Sequence, residues 1–480
     1  MQSGGYDSVG QQSAAGTIHA GYVIGLASVA AMGGLLFGYD WVVIGGAKPF
    51  YEVYFHLGSE LLIGWANSCA LLGCLIGALA AGEAGNRFGR RKVMLTAALV
   101  FALSSILTGW ATAFSAFIFW RIAGGTAIGL ASNISPLYIA EISPAAWRGR
   151  LVSLNQLAIV TGILAAQIAN WLIADKVPAG GAVQLQSWNA QYGWRWMFTA
   201  VAVPACLFLV CSFLIPESPR WLAGRERAEE ARRVLARIGG DEHAAMELAA
   251  IQATLRAAAV SRAGWKDLFG PGTRRLLWVG VALAVLQQWS GINILFNYAE
   301  EIYRSAGFGV SGILFNIVIT GAINLIFTVI AMTFVDRLGR RKLMLLGCAG
   351  VGVCHLGASL GYHAGWRGSA VLVLTLGAIA CYSMTLAPVT WVLIAEIYPN
   401  RLRSLGVSAA VGALWSASFV LTYTFPLINQ VFTTAGAFLV YAAVCLLGFV
   451  FVATQVQETR GKTLEQIEEA SGAIALQIKK

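Results

Sequence analysis

Apolar residues run through this chain in stretches of about twenty, the length a helix needs to cross a hydrocarbon core, separated by short polar or charged breaks. The stretches fall near 20–46, 62–82, 93–113, 116–140, 151–173 and 194–215, and again near 276–303, 312–335, 342–363, 369–397, 404–428 and 432–455. This pattern predicts an all-α polytopic membrane protein with twelve transmembrane helices in two groups of six. The groups are repeats of one another: NRFGRRKVML at Asn86 to Leu95 returns as DRLGRRKLML at Asp336 to Leu345, 250 residues later. A duplicated membrane protein points to a transporter, because alternating access is readily built by rocking one repeat against the other around a central site.

The breaks divide the chain further. Residues 1–19 form a disordered lead; its first sixteen residues hold no Lys or Arg, which argues against a signal peptide. Residues 20–215 and 276–455 are the two six-helix bundles, and 456–480 a C-terminal tail. Between the bundles, 216–275 turns charged and Ala-rich. Ala228, Ala231, Val234, Leu235 and Ile238 recur there at helical spacing, predicting short amphipathic helices on one membrane face, the first ending at Gly239-Gly240.

Composition agrees with lipid as the solvent: 58% of residues are hydrophobic and 12% charged. The net charge of +10 would suit nucleic acid, but 27 of the 33 basic residues fall in alternate loops, on one side of the membrane. The positive-inside rule then places both termini and the central linker in the cytoplasm of a multi-pass protein of the inner (plasma) membrane, with lipid rather than nucleic acid as its partner. The eight cysteines lie in apolar segments without a CxxC pair, as packing residues do. Gly357 to Gly361 matches a nucleophile elbow and Gly307 to Gly312 a dinucleotide fingerprint, but neither follows a strand, which both chemistries require. No enzyme, cofactor or metal site is expected.

Several separate strings carry a resemblance: GGLLFGYD at Gly33 to Asp40, NRFGRR at Asn86 to Arg91, RIAGG at Arg121 to Gly125, YIAEISPAAWRGR at Tyr138 to Arg150, NQLAIVTG at Asn155 to Gly162, PESPRWL at Pro216 to Leu222, QQWSGIN at Gln287 to Asn293, DRLGRR, WVLIAEIYP at Trp391 to Pro399 and ETRGKTLEQIE at Glu458 to Glu468. With them the chain resembles the sugar porter family of the major facilitator superfamily, close in pattern to bacterial proton-coupled xylose and glucose symporters. The resemblance implies the major facilitator fold in a monomer that imports a monosaccharide, hexose or pentose, with a proton. A facilitative uniporter and, from another class, a non-transporting sugar sensor are the alternatives; sensors of the family usually carry long cytoplasmic tails.

Each half offers an Arg cluster at one helix turn and an acid with an Arg seven residues on: Glu141 with Arg148, and Glu396 with Arg403. With Arg90 and Arg340 these can form inter-helix salt bridges on the inner face, and Glu217 and Glu458 add acids at matching ends of the halves. In the family's pattern such bridges hold the inside closed when the site faces out; a static helix-end network would use the same charges.

A sugar needs donors and acceptors in place of water, which neutral amides within apolar helices supply. Gln156, Gln287, Gln288, Asn293 and Asn324 meet that need and map onto the family's sugar-binding amides; inter-helix bonding worth ~0.6 kcal/mol per contact is the plainer reading. Gln287 and Asn293 stand roughly 240° apart around an unbroken helix, so a discontinuity near Ser290-Gly291 is predicted to bring them together. Pro388 is expected to break the tenth helix just before Trp391 and free its indole to cover a sugar's apolar face.

Asp40 costs roughly 2.5–3.5 kcal/mol in a spanning helix, and Arg121, read as the only basic residue well inside a span, is its natural partner. The family's proton symporters carry an Asp and an Arg at these positions, whereas its passive facilitators usually replace the Asp; a permanent structural ion pair is the alternative. Leu414 stands where many family members place a Gln or Asn, and Asn297-Tyr298-Ala299-Glu300 replaces the usual Tyr-Tyr-Ala-Pro of the outer gate, leaving glucose, xylose and galactose all open as substrates.

Overall fold

The computed structural model describes residues 18–177, 183–260, 264–270, 273–399 and 401–460. Nearly all of the N-terminal lead and the tail beyond Arg460 lie outside them. Every regular element among the described residues is helical. In the first half α1 (Ala20–Tyr54), α2 (Glu60–Phe88), α3 (Arg90–Gly109), α4 (Phe114–Ile142) and α5 (Arg148–Ile173) are followed by a π-helical turn, Asn189–Gly193, and by α6 (Trp194–Ala200) and α7 (Ala202–Leu214), which make the sixth crossing. The second half comprises α11 (Arg274–Trp289), α12 (Ile292–Asn297), α13 (Ala299–Ser305), α14 (Val310–Leu338), α15 (Arg340–His363), α16 (Ser369–Met384), α17 (Leu386–Glu396) and α18 (Arg403–Gln455).

Eleven helical stretches among the described residues are long and apolar enough to cross a membrane, and the last of them, α18, has 53 residues. As one rod it would run about 80 Å, far beyond a hydrocarbon core of about 30 Å. Thr433, at φ 62° and ψ 172°, breaks it into two, so the twelve crossings of the hydropathy pattern are present. Large apolar side chains point outward from them, with Leu214 78% and Val203 74% exposed, as lipid contact requires and a water-facing surface would not tolerate in such number.

The repeated phrase turns out to be a one-residue hinge between antiparallel helices. Gly89, at φ 93°, separates α2 from α3, and Gly339, at φ 91°, separates α14 from α15; a side chain is strained at such angles. The halves meet along two matched pairs, α2 against α18 and α5 against α14. In the linker, α8 (Pro219–Gly224), α9 (Ala228–Val260) and α10 (Trp265–Leu268) lie on the face that carries the Arg clusters, here called the basic face. Ala231, Val234, Leu235 and Ile238 of α9 are buried, and the helix is interrupted at Gly239 and Gly240. The apolar stripe therefore packs, and His19 Nδ1, 2.9 Å from the Arg237 carbonyl, ties α1 to it.

Candidate functional site

Two helix breaks face one another inside the second half. Between α11 and α12, Gly291 takes φ 87°; between α16 and α17, Thr385 takes φ −130° and ψ −82°. Non-helical backbone at membrane depth survives only where protein or a water-filled cavity satisfies it, and the polar side chains gather at these two points. Ser290 O receives His355 Nε2 at 2.8 Å. Gln287 Nε2 donates to the carbonyls of Ala387 (3.2 Å) and Leu386 (3.4 Å), just after the second break.

From there an amide relay runs across the first break. Gln288 Nε2 donates to Gln287 Oε1 at 3.4 Å, Asn293 Nδ2 donates to Gln288 Oε1, and it reaches Ser418 Oγ at 3.3 Å. Unwinding at Ser290-Gly291 thus brings together the residues that an unbroken helix would hold on different sides. Asn324 Oδ1, on α14, accepts from Ser383 Oγ at 2.7 Å beside the second break. That break falls three residues ahead of Pro388, which sits in the first turn of α17, where a missing N–H costs least. Gln156 on α5 is half-buried and has no hydrogen-bond partner among the described residues, and Trp391 on α17 is 41% exposed without a ring partner among them.

Gly291 also lies under Tyr441 and His355, whose atoms would stand 2.8 and 3.0 Å from an added Cβ. Gly291→Ala is expected to cost ~1–2 kcal/mol from backbone strain alone, lowering the thermal unfolding midpoint, whereas Gly58→Ala, with open space around it, should leave it in place. Equal midpoints would show that the break tolerates a side chain.

Asp40 and Arg121 are both buried, and Arg121 Nη1 donates to Asp40 Oδ1 at 2.7 Å. The guanidinium lies 5.3 Å from the Phe198 ring centroid, and its Nε has no hydrogen-bond partner among the described residues. A small cavity beside the pair has Asn67 and Trp41 on the first-half side and Asn297 and Trp415 on the other. Aromatic contacts close the seam above it, Phe37 on Trp415 at 5.5 Å and Trp41 on Phe296 at 5.6 Å between centroids. The pair therefore borders the same inter-half space as the broken helices. Asn297, Asn316 and Gln167, buried with a side-chain oxygen or nitrogen unpartnered, join the amides named above as polar groups near the seam. Gln167 and Asn316 give the same sequence signal, an amide in an apolar run, while Asn297 is the residue that departs from the outer-gate run.

On the basic face the two halves repeat one arrangement. Arg90 holds Glu141 bidentately, Nε at 2.9 Å and Nη2 at 2.8 Å, and Arg340 pairs with Glu396 at 3.5 Å. Ser218 donates to Glu141, and Thr459 to Glu396. Glu217 accepts from the N–H groups of Arg90 (2.9 Å) and Arg91 (3.2 Å) at the start of α3. Glu458 does the same for Arg340 (2.9 Å) and Arg341 (3.2 Å) at the start of α15. A carboxylate there meets both the unpaired amides and the positive end of the helix dipole. Arg148 and Arg403 reach backbone carbonyls, of Ala140 at 3.1 Å and Tyr398 at 3.4 Å. Each ion pair described for Arg90 and Arg340 stays within its own half, and a cavity of about 620 Å³ on this face is bordered by Arg90, Glu141 and Arg148 of the first half, by Arg220 and His243 of the linker helices and by Arg403 of the second half.

Burial pushes the Glu458 carboxyl up, but the N–H groups of Arg460, Arg340, Arg341 and Thr459 outweigh it and hold the carboxyl below its usual range. A depressed carboxyl contributes stability above its unfolded value and loses it as pH falls through its folded one. The amides at the start of α15 are therefore expected to show a high protection factor (exchange relative to the intrinsic rate at the same pH) at pH 6, and a lower one once the pH falls below the ordinary carboxylate range. Glu458→Gln should lower it at pH 6 and make little difference at the low pH, where the wild-type carboxyl is itself neutral; a pH-independent protection factor in the wild type would remove the carboxylate from the cap.

At the opposite end of the seam the ion pairs do cross between halves. Lys48, buried within α1, meets Glu300 and Glu301 of α13. Arg121 is thus not the only basic residue deep in a span: α1 extends to Tyr54, eight residues beyond the apolar stretch that ends at 46.

Residues 26–470 match the family model described as sugar (and other) transporter. The chain is 40% identical to the glucose transport protein of Synechocystis, over 94% of this chain and 98% of that protein. It is 35% identical to the D-xylose-proton symporter of Escherichia coli strain K12, over 93% and 95%. Its structure aligns with the inward-open xylose transporter of Escherichia coli at a TM-score of 0.82 and 34% identity, covering 94% of this chain and 100% of that one. The partially occluded inward-open form of that transporter aligns at 0.81 and 33% identity, covering 92% and 100%. With a family match over nearly its whole length, the chain belongs to the sugar (and other) transporters.

Proposed function

We propose that this protein imports a monosaccharide together with a proton, by rocking its two halves about the broken-helix site. The observation that carries the reading is the Asp40–Arg121 pair: two buried charges in hydrogen-bond contact, bordering the cavity between the halves. A carboxylate in that position can exchange its bond to Arg121 for a proton when the seam opens, and the swing then links protonation to access. Gln287, Gln288, Asn293 and Asn324 would offer donors and acceptors to sugar hydroxyls, with Gln156 and Trp391 completing the site from α5 and α17. The Arg and Lys content of the basic face supports a cytoplasmic orientation for it in the plasma membrane, so the sugar would leave toward that face. Arg90, Glu141, Arg340 and Glu396, with the capping residues Glu217 and Glu458 and the flanking Arg148 and Arg403, would form the inner gate.

Relatives named for glucose, arabinose-proton and D-xylose-proton transport support a monosaccharide as the cargo. The test is uptake by purified protein in liposomes, across a panel of hexoses and pentoses, with and without an inward proton gradient. Accumulation of a sugar above its outside concentration only when the gradient is imposed is the expected result. Equilibration that ignores the gradient would make the protein a uniporter.

A further inference from the structure

The end of the seam opposite the basic face is closed by a cluster of five charges, of which Lys48 and Glu300 are buried and Glu52 and Glu301 partly so. Lys48, 2% exposed, lies 2.9 Å from Glu52 one turn on and 3.4 Å from Glu300, and also touches Glu301. Glu300, 2% exposed, also pairs with Arg304, whose side chain is 59% exposed. Lys48 and Glu52 belong to α1 in the first half; Glu300, Glu301 and Arg304 belong to α13 in the second. The backbone is packed closely beside them, Gly45 having room for no side chain against the Phe296 carbonyl. Among the described residues, the other titratable groups facing the cluster are Tyr51 and Tyr298. Tyr298 lies with its ring centroid 5.8 Å from Lys48 Nζ and donates its hydroxyl to the Thr422 carbonyl. Tyr51 is fully buried with its hydroxyl unpartnered. Asp40 and Arg121 stand further along the seam as a balanced pair.

The charge count does not balance. Three carboxylates share one buried ammonium and one guanidinium that reaches the surface. Carboxylates crowded into one low-dielectric site cannot all stay ionised without a cation each, and a proton from the outer water removes the excess. When the halves part at this end, Lys48 keeps Glu52 on its own helix and Arg304 keeps Glu300 on its own, while Glu301 meets solvent and needs no proton.

We infer that Lys48, Glu52, Glu300 and Glu301 form the latch of the outer gate, and that the latch takes up a proton of its own each time the gate closes, at a site separate from Asp40. The proton enters on closing and leaves on opening to the same side, so it sets the balance between the two access states without being carried across. Acid outside favours the closed outer gate. Linkage of one proton changes the open-to-closed ratio by up to about tenfold per pH unit. The inference rests on the rocking motion proposed above, but on neither the identity of the sugar nor the role of Asp40.

The test is a distance distribution across the outer face, between spin labels placed at exposed Ser59 and Ser369 by encoded unnatural residues so that the native cysteines stay untouched, in nanodiscs from pH 5.5 to 8.5. The wild type is expected to shift toward the short distance as pH falls. Glu301→Gln removes the excess charge and should give the wild type's low-pH distribution, richer in the short distance, at every pH, as should Glu52→Gln, which removes it from the other half. Lys48→Met should favour the long distance. In transport, Glu301→Gln should keep the wild-type proton-to-sugar ratio. A pH shift that persists in both glutamine variants and vanishes in Asp40→Asn would overturn the separate proton site. Unchanged distances in Lys48→Met would overturn the latch. One distance common to all variants and pH values would sink the rocking motion itself.

Discussion

In liposomes carrying an inward pH gradient, Asp40→Asn is expected to lose sugar accumulation entirely while still exchanging labelled for unlabelled sugar. With one proton per sugar, a gradient of one pH unit supports up to about tenfold accumulation, since a unit of pH is worth ~1.4 kcal/mol. The variant should bring that ratio to one. The reason lies in the pair itself. Arg121 donates to Asp40 at 2.7 Å, with both side chains removed from water. An amide at position 40 keeps the volume and a hydrogen bond to Arg121 but neither binds a proton nor offers a charge. The swing then continues without the gradient's push. A variant that still accumulates sugar would leave Asp40 as a structural partner of Arg121; one that neither accumulates nor exchanges would show that the charge is needed for the motion itself.

Gln288→Ala carries the second large effect. Gln288 is the middle of the relay, donating to Gln287 and accepting from Asn293. Truncating it removes one group a sugar hydroxyl could meet and leaves its two neighbours without their partner. A buried polar group deprived of its hydrogen bond costs ~1–3 kcal/mol, so sugar affinity is expected to fall by about tenfold to a hundredfold or more. Titration calorimetry on purified protein measures the loss, and a thermal melt run beside it separates binding from folding. Unchanged affinity with a lowered melting point would make the relay plain inter-helix bonding.

The break at Ser290-Gly291 was legible because two amides six residues apart cannot share a face of a regular helix, and Gly291 was the residue able to resolve it. The twelve crossings were legible from run length, although the chain turns between the last two at the single residue Thr433. Other features depend on distances that no local pattern carries. Lys48 lies just past the end of an apolar run, and Glu300 reads as a lost proline rather than as the other half of an ion pair 252 residues away. In the tenth helix Pro388 is the breaker visible in the sequence. The chain bends at Thr385, where Gln287 meets the carbonyls beyond the bend and Pro388 is spared an interior position. Glu141 and Arg148 share a string, yet Glu141 faces Arg90, 51 residues upstream.

The twin caps of Glu217 and Glu458 have a consequence for how the molecule is made. Each stands just after the final crossing of its half and returns to the helix that begins the third, fastening every bundle to itself with bonds that owe nothing to its neighbour. The first bundle's fastening is thus complete once its own last crossing has been made, before the second is synthesised. Two separate polypeptides, cut within the linker, would then be expected to find one another and rebuild a working carrier.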